Sequence, residues 1–214
     1  MKDPWKIKDE AQAEAYEFFD KKVRPLLKDN SGNVDPSAHG LVDNDADAFR
    51  HAYVSAVFTQ EYGENAARVF GNVNEMDPLS LYSRTSNPGA FNMDLWNNRV
   101  GRKYGKKTKN RKTLLKMILK ALKNGELITD PADKRKFQGS SNFPSEKKPL
   151  VVVGQTRTGR NILFYDLILK TFFEVSEIVS RIDEGKYPGY SVKWIHGFAT
   201  PVSKRDAMAT NNLG

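Results

Sequence analysis

The chain has no cysteine and no long apolar run among its 214 residues. Without cysteine, disulfide bonds, thiolate nucleophiles and cysteine-ligated zinc are excluded. No apolar stretch approaches the roughly 20 residues that a membrane-spanning helix requires, so we expect no transmembrane segment. The first residues, Met1 to Trp5, lack the apolar region of a secretory signal peptide. Either the protein is exported or delivered to another cell by a route that needs no such signal, or it is cytoplasmic, or it is a piece cut from a longer chain.

Acidic residues are absent from one long segment, which carries the basic excess of the chain. The net charge is +8, and residues 99–123 contain eleven lysines and arginines but no aspartate or glutamate. A concentrated positive field attracts polyanions, so we expect a polyanionic substrate or surface as partner. Arg99 and Arg102, at the start of this segment, are candidate substrate-binding residues. The alternative interpretation is a solvated helix face that keeps the protein in solution.

The spacing of apolar residues predicts a mainly α (α+β) fold with a helical core. Apolar side chains recur at helical intervals through most of the first 123 residues, which indicates amphipathic helices. We predict helices at about residues 8–28, 45–62, 64–75, 91–104 and 113–123. Asp43 or Asn44 is placed to cap the second of these helices at its N-terminus.

The C-terminal third is predicted to hold a small β element. Residues 130–149 are polar and without a clear period, which predicts an exposed linker or a mobile loop. Beyond them, the sequence predicts strands at 150–153, 162–165 and 190–199 and a helix at 172–182. We expect a single domain, 1–214, in which residues 150–214 form either a small α/β lobe or part of the same core.

The first polar motif lies within the second predicted helix. Asp47, Arg50 and His51 stand at positions i, i+3 and i+4, so they share one helix face. The carboxylate of Asp47 would orient the imidazole of His51 and raise its pKa, which suits general acid–base catalysis. Arg50 would bind an anionic group or stabilise developing negative charge. The alternative interpretation is a buried ion-pair network that joins two helices.

A second motif repeats this spacing in the fourth predicted helix. Asp94, Asn97 and Asn98 are polar groups in an otherwise apolar stretch, and Gly101 would let another backbone approach closely. Buried polar groups need partners, so we expect the two helices to meet across a shared cleft. Asp94 and Glu75 are candidates for a second catalytic carboxylate, while Asn97 and Asn98 would position substrate.

A metal site is a further expectation from the same residue types. His51, Glu75 and Asp94 would make a nitrogen and oxygen ligand set that suits zinc, iron or manganese. The chain has no H-E-x-x-H motif or other tight ligand spacing. The cofactor therefore stays open between none and a divalent metal.

The two motifs resemble the pattern of a family of functionally uncharacterised bacterial domains, R-H-A-Y-W-x-A, then H-E, then M-D-L-x-N-N-x-x-G. The matching residues lie within about 43–104 and are Arg50–Tyr53, Glu75, Met93–Leu95, Asn97, Asn98 and Gly101. Val54 stands where the pattern has Trp, and Asn74 where it has His. Domains of this family look like parts of exported proteins and toxin tails. The resemblance implies a shared α-helical core and a shared polar cleft.

The residues are compatible with three functions. The first is a bacterial toxin-like or effector-like hydrolase that acts on a cell-envelope polymer, with the helical polar cleft as its active site. The second is a nuclease-type toxin acting on DNA or RNA, whose binding would weaken steeply with salt. The third is a non-enzymatic module that binds nucleic acid or a membrane through the basic helix at 106–123. A toxin would have a cognate immunity protein as a partner.

Overall fold

The protein divides into two compact units in a computed structural model. The structure describes residues 3–35, 40–74, 87–138 and 147–205, together with residue 213. The first unit is Met1–Gly139 and the second is Ser140–Gly214, so the boundary lies inside the polar stretch at 130–149. Helices dominate the first unit and two small antiparallel sheets lie in the second. The predicted mainly α fold with a small β element in the C-terminal third is confirmed.

Five described helices build the first unit. They are α1 (Pro4–Lys22), α2 (Asp45–Tyr62), α3 (Glu64–Asn74), α4 (Pro88–Gly105) and α5 (Arg111–Lys123). No helix among the described residues is both long enough and apolar enough to cross a membrane.

Polar side chains determine where these helices begin. Asn44 caps α2 by accepting hydrogen bonds from the backbone N–H groups of residues 46 and 47. Of the two predicted caps, Asp43 and Asn44, the second is therefore the one observed. Asp3 and Asn87 cap α1 and α4, and each is followed by proline in the first turn. The predicted starts at 8 and 91 were therefore several residues late, and the predicted end of α1 at 28 was also wrong because that helix ends at Lys22.

Helix α2 lies at the centre of the first unit. It packs against α1, α3, α4 and α5, and thirteen of its eighteen residues are buried. Phe49 is fully buried and its ring contacts those of Phe18, Phe19 and Tyr53. Burying each such side chain contributes about 1.5–3 kcal/mol. Because most of α2 is buried, a polar residue on this helix needs a partner from a neighbouring helix.

Glycines in α4 allow its backbone to lie directly against α2. A Cβ atom at Gly101 would stand 2.0 Å from the carbonyl oxygen of Ala52, and one at Gly105 would stand 2.4 Å from that of Ala56. Any side chain at either position would collide with backbone atoms. The predicted close approach at Gly101 is confirmed, and it brings the polar side chains that precede it on α4 within reach of those that precede Ala52 on α2.

The second unit has its own core. Strands β1 (Leu150–Gln155), β2 (Asn161–Asp166) and β3 (Thr171–Glu174) form an antiparallel sheet, followed by helix α6 (Val175–Asp183). Strands β4 (Tyr190–Ile195) and β5 (Phe198–Ser203) form a separate hairpin. The buried residues of this core are Leu150, Phe164, Phe173, Ile178, Ile182, Tyr187 and Tyr190.

Two elements of the second unit differ from the sequence prediction. The predicted helix at 172–182 was wrong at its start, because residues 171–174 pair with β2 as a strand and the helix begins at Val175. The predicted single strand at 190–199 is instead a hairpin. His196 and Gly197 have φ angles of 51° and 79°, so they form the two-residue turn that the twist of paired strands favours.

Candidate functional site

Three polar side chains meet where α2 faces α4. Asp47 and His51 extend from α2 and Asp94 extends from α4. His51 Nε2 lies 3.2 Å from Asp94 Oδ1 and 3.5 Å from Asp47 Oδ1. We call these three residues the α2–α4 cluster. The structure thus brings together three of the four predicted catalytic residues, while Glu75 lies outside the described residues.

The α2–α4 cluster is almost completely removed from solvent. The exposed fraction of Asp47 is 3% and that of His51 is 5%, and the Asp94 side chain is 14% exposed. Asp47 stands in the first turn of α2, where the helix dipole favours a carboxylate. The backbone N–H of Asp43 also donates to Asp47 Oδ2 over 2.9 Å. These contacts offset part of the cost of burying its charge.

Arg50 supplies the positive charge that balances Asp47. Its Nε donates to Asp47 Oδ1 over 3.2 Å, and its Nη2 contacts the same oxygen. The same Nη2 lies 2.6 Å from His51 Nε2. Because a guanidinium only donates hydrogen bonds, His51 Nε2 is the acceptor. A neutral imidazole in this arrangement carries its proton on Nδ1.

The electrostatics of the site keep His51 neutral. Burial lowers the pKa of His51, and the positive charge of Arg50 lowers it further. Asp47 and a side-chain hydrogen bond with Asn98 act in the opposite direction but are weaker. The predicted rise in the pKa of His51 was therefore wrong, because burial and Arg50 outweigh the nearby carboxylate.

Asp47 keeps its negative charge despite its burial. Desolvation by burial would raise the pKa of Asp47, whereas the charge and hydrogen bonds of Arg50 and the N–H of Asp43 lower it. The net direction is downward. The site therefore combines an ionised carboxylate, a guanidinium and an uncharged imidazole that can accept a proton.

A small cavity opens beside His51. Its volume is about 20 Å³, which is enough for one water molecule. The lining residues are Lys8, Arg50, His51, Val54, Ser55, Phe58, Gly71 and Asn98. Val54, which stands where the family pattern has Trp, is thus one of the walls of this cavity.

Ser55 is a residue that the sequence interpretation missed. Its Oγ is buried and has no hydrogen-bond partner among the described residues. Ser55 follows His51 by four residues, and His51 follows Asp47 by four, so all three share one face of α2. This repeated spacing was the available signal. Lys8 was also missed, since α1 gave no indication that it would approach α2.

Asn97 and Asn98 have different environments although they are adjacent. Asn98 hydrogen-bonds to His51 and lines the cavity. Asn97 is fully buried, donates to the carbonyl oxygen of Ile128 over 2.8 Å, and accepts from the N–H of Ile128 over 2.9 Å. Asn97 therefore fixes the segment after α5 and is not brought to the α2–α4 cluster.

The two predicted substrate-binding arginines of α4 also lie elsewhere. Arg99 packs over the rings of Trp96 and Phe137 and donates to the carbonyl oxygen of residue 138. Arg102 is buried, and this burial lowers its pKa to about 10, while Glu64 acts in the opposite direction. Within the part of the chain that the structure describes, neither arginine contacts His51.

The α2–α4 cluster could hold a metal ion. One ligand atom from each of Asp47, His51 and Asp94 lies within 4.8 Å of the other two. The predicted ligand set included Glu75, and that residue lies outside the described part of the chain. In the present arrangement Arg50 Nη2 occupies the space between Asp47 Oδ1 and His51 Nε2. A metal ion would have to displace this guanidinium.

The basic segment forms an exposed face on α5. Leu114, Ile118 and Ala121 are buried. The four lysines on the outer side of the helix are exposed: Lys112, Lys116, Lys120 and Lys123. We call these four residues the α5 lysine face. None of them pairs with a carboxylate in the part of the chain that the structure describes.

Comparison with known proteins identifies a family but no activity. The sequence model of a family described as a domain of unknown function (DUF6973) matches residues 6–126. This range is more than half of the chain and includes the complete α2–α4 cluster. No curated protein and no solved structure matches the chain.

Proposed function

We propose that this chain, which belongs to the DUF6973 family of domains of unknown function, is a hydrolase with its reaction centre at the α2–α4 cluster. One observation carries the proposal. A neutral imidazole, His51, is held next to two carboxylates at the wall of a cavity that also receives the hydroxyl of Ser55. A purely structural ion-pair network would not require a cavity at this position.

The geometry gives each residue of the site a chemical task. We assign the general base to His51, whose imidazole becomes a stronger base once Arg50, whose charge lowers its pKa, moves away from Nε2. A water molecule in the cavity would lie beside the hydroxyl of Ser55 and the amide of Asn98, because both residues line it. An anionic group on the substrate would attract Arg50 away from His51, which frees Nε2 to accept the proton. Arg50 then stabilises the negative charge that develops.

A divalent metal ion is the second proposal for the same site. Asp47, His51 and Asp94 supply the oxygen and nitrogen ligands that zinc, iron or manganese prefers. Such an ion would replace the guanidinium of Arg50 as the positive charge. We expect Arg50→Gln to bind Mn²⁺ or Zn²⁺ more tightly than the unchanged protein in a calorimetric titration. If neither protein binds either ion, the metal-dependent mechanism is excluded and the metal-free mechanism is retained.

For the substrate we propose a cell-envelope polymer, which would make the chain a toxin-like or effector-like domain. The resemblance to domains in exported proteins and toxin tails supports this class, and the α5 lysine face would attract a polyanionic polymer. A nuclease-type toxin is the alternative, because the same lysines suit a phosphate backbone. In either case a cognate immunity protein would be the natural inhibitor.

Growth of bacteria that express the chain tests the proposal. The chain is directed to the cytoplasm or to the periplasm, and His51→Ala is compared with His196→Ala, whose histidine is exposed in the other unit. We expect toxicity that His51→Ala abolishes and His196→Ala retains, with both variants folded by circular dichroism. Toxicity in the periplasm alone indicates an envelope polymer, and toxicity in the cytoplasm indicates nucleic acid. Equal growth of all cultures would contradict the proposal.

The non-enzymatic alternative is favoured by one observation, the exposure of the α5 lysine face, which has no carboxylate partner among the described residues. Charge reversal at Lys112, Lys116 and Lys120 separates it from the hydrolase. If the chain acts only by binding a polyanion, this triple variant loses its effect and His51→Ala retains it. The hydrolase predicts complete loss in His51→Ala and a partial, salt-dependent loss in the triple variant.

A further inference from the structure

The β4–β5 hairpin ends in an exposed apolar tip. Trp194 is 77% exposed, Ile195 is 41% exposed and Phe198 is 50% exposed. We call these three residues the hairpin tip. Ile195 pairs directly with Phe198 across the turn, so the strands remain paired to their ends. The tip is therefore a fixed projection of three large apolar side chains.

The core of the second unit does not require this tip. At the opposite end of the hairpin, Tyr190 is buried in the core and Val192 packs against it. Burial then falls along β4 until Trp194 is the most exposed of the large hydrophobic residues in the described part of the chain. Apolar area of this kind on a protein surface marks an interaction site.

Two cationic residues, Arg160 and Lys193, lie next to the tip. The guanidinium of Arg160 lies 3.9 Å from the centre of the Phe198 ring. Among the described residues, its buried Nε has no hydrogen-bond partner and its guanidinium forms no ion pair with a carboxylate. Lys193 is exposed on β4, and neither the hairpin at 190–205 nor the turn at 155–160 contains an acidic residue. The partner of this surface is therefore apolar at its centre and anionic around it.

We propose that the hairpin tip docks on the surface of an anionic lipid bilayer. Trp194, Ile195 and Phe198 would enter the boundary between headgroups and acyl chains, where tryptophan is favoured because it combines an apolar body with a polar N–H. Arg160 and Lys193 would contact lipid phosphates. A single-stranded nucleic acid is less suited, because base stacking uses aromatic side chains and Ile195 offers none. This inference is independent of the proposed hydrolase.

Flotation of the full chain with lipid vesicles tests the docking. Vesicles of phosphatidylcholine with phosphatidylglycerol are compared with vesicles of phosphatidylcholine alone. We expect binding to the anionic vesicles, weakened about tenfold or more by Trp194→Ser with Phe198→Ser and about fivefold by Arg160→Gln. The matched control is Ile168→Ser with Leu169→Ser, which removes two similarly exposed apolar residues from another turn of the same unit.

Several outcomes would overturn the proposal. Unchanged flotation in the tip variant, or an equal loss in the Ile168 and Leu169 control, would remove the tip as the contact. Tighter binding of the same residues to RNA than to vesicles would assign the surface to nucleic acid. Quenching by brominated lipid gives an independent readout: we expect it in the unchanged chain and not in Trp194→Phe, which keeps Trp5 and Trp96. Quenching that persists in Trp194→Phe would contradict the docking.

Discussion

At the residue scale, the charge of His51 determines the chemistry that the site can perform. The imidazole lies beside Asp47, whose carboxylate favours its protonated form, and beside Arg50, which opposes it. Burial adds to the effect of Arg50, so the neutral form prevails. A neutral imidazole accepts protons or binds metal ions, whereas an imidazolium would serve only as an acid or an ion-pair partner.

This charge state makes the stability of the protein depend on pH in a defined direction. A histidine whose pKa is lowered on folding binds a proton more readily in the unfolded chain, so the folded state loses stability as pH falls below the unfolded pKa near 6.5. Between pH 7 and pH 5 we expect the unchanged protein to lose about 2 kcal/mol more than His51→Gln. Urea unfolding at both values, with EDTA present, measures this difference. An equal loss in both proteins would mean that folding does not lower the pKa of His51.

Ser55 provides a test of the cavity that separates function from folding. Its hydroxyl has no hydrogen-bond partner among the described residues, so removing it leaves no protein group newly unsatisfied. We expect Ser55→Ala to change the free energy of unfolding by less than about 1 kcal/mol and to reduce growth inhibition by about 10–100-fold. The inducer concentration that halves growth gives the second quantity. Full toxicity in Ser55→Ala would show that the cavity takes no part in the reaction.

The spacing of residues predicted which side chains meet at the site, but not how strongly these side chains interact. The i, i+4 relation placed Asp47 and His51 on one face, and the repeated pattern in α4 placed Asp94 opposite them. The direction of the His51 pKa could not be predicted, because it depends on burial and on where the guanidinium of Arg50 points. Adjacent asparagines likewise look alike in sequence, yet only Asn98 reaches the imidazole.

At the element scale, the contact between α2 and α4 is what positions the site. The two backbones approach closely where Gly101 meets Ala52, and His51, the residue before Ala52, contacts Asp94 of the other helix. A change in the distance between these helices would therefore separate His51 from Asp94. Preorganised positions of this kind are lost when supporting helices shift by about 1 Å.

Gly101→Ala is the sharpest test of this dependence. The new Cβ would stand 2.0 Å from the carbonyl oxygen of Ala52, so one helix must move. We expect a loss of about 1–3 kcal/mol in the free energy of unfolding together with loss of toxicity. The matched control is Gly89→Ala in the first turn of the same helix, whose Cβ would stand 2.3 Å from the carbonyl oxygen of Pro131, outside α2. We expect this control to lose stability but to keep its toxicity. If Gly101→Ala also keeps its toxicity, the close contact between α2 and α4 does not position the site.

Elements were predicted best where a single physical signal determined them. Helix α2 begins at an asparagine cap and ends before Gly63, and both signals are visible in the sequence. Strand β3 was missed because residues 171–174 continue without a turn signal into α6. Their strand conformation comes from pairing with β2 and burial of Phe173, a tertiary contact that local propensity does not contain.

At the scale of the whole molecule, the two units carry different surfaces. The α5 lysine face and the α2–α4 cluster belong to the first unit, and the hairpin tip belongs to the second. The concentrated charge of residues 99–123 was visible in the sequence, but only part of it is free for a polyanion. Arg99 packs on aromatic rings, Arg102 is buried, and Arg111 pairs with Glu14.

Each unit has a core of its own, so we predict that the units fold and act separately. In the second unit the hydroxyl of Tyr187 donates to Asp166 over 2.6 Å and that of Tyr190 accepts from the N–H of Leu150, which fixes the sheet against the hairpin. We expect fragments Met1–Gly139 and Ser140–Gly214 each to unfold cooperatively, although the smaller one buries less surface and is less stable. Dispersed amide signals in the NMR spectrum of each fragment would show that it folds separately.

The separated fragments also assign the two proposed activities. Met1–Gly139 should keep the growth inhibition that depends on His51, because every residue of the site lies within it. Ser140–Gly214 should keep the vesicle binding that depends on Trp194 and Phe198. Growth inhibition that requires both fragments in one chain, while each fragment is folded, would show that membrane docking delivers the reaction centre to its substrate. Inhibition by the second fragment alone would place the toxic effect at the membrane and contradict a reaction centre at His51.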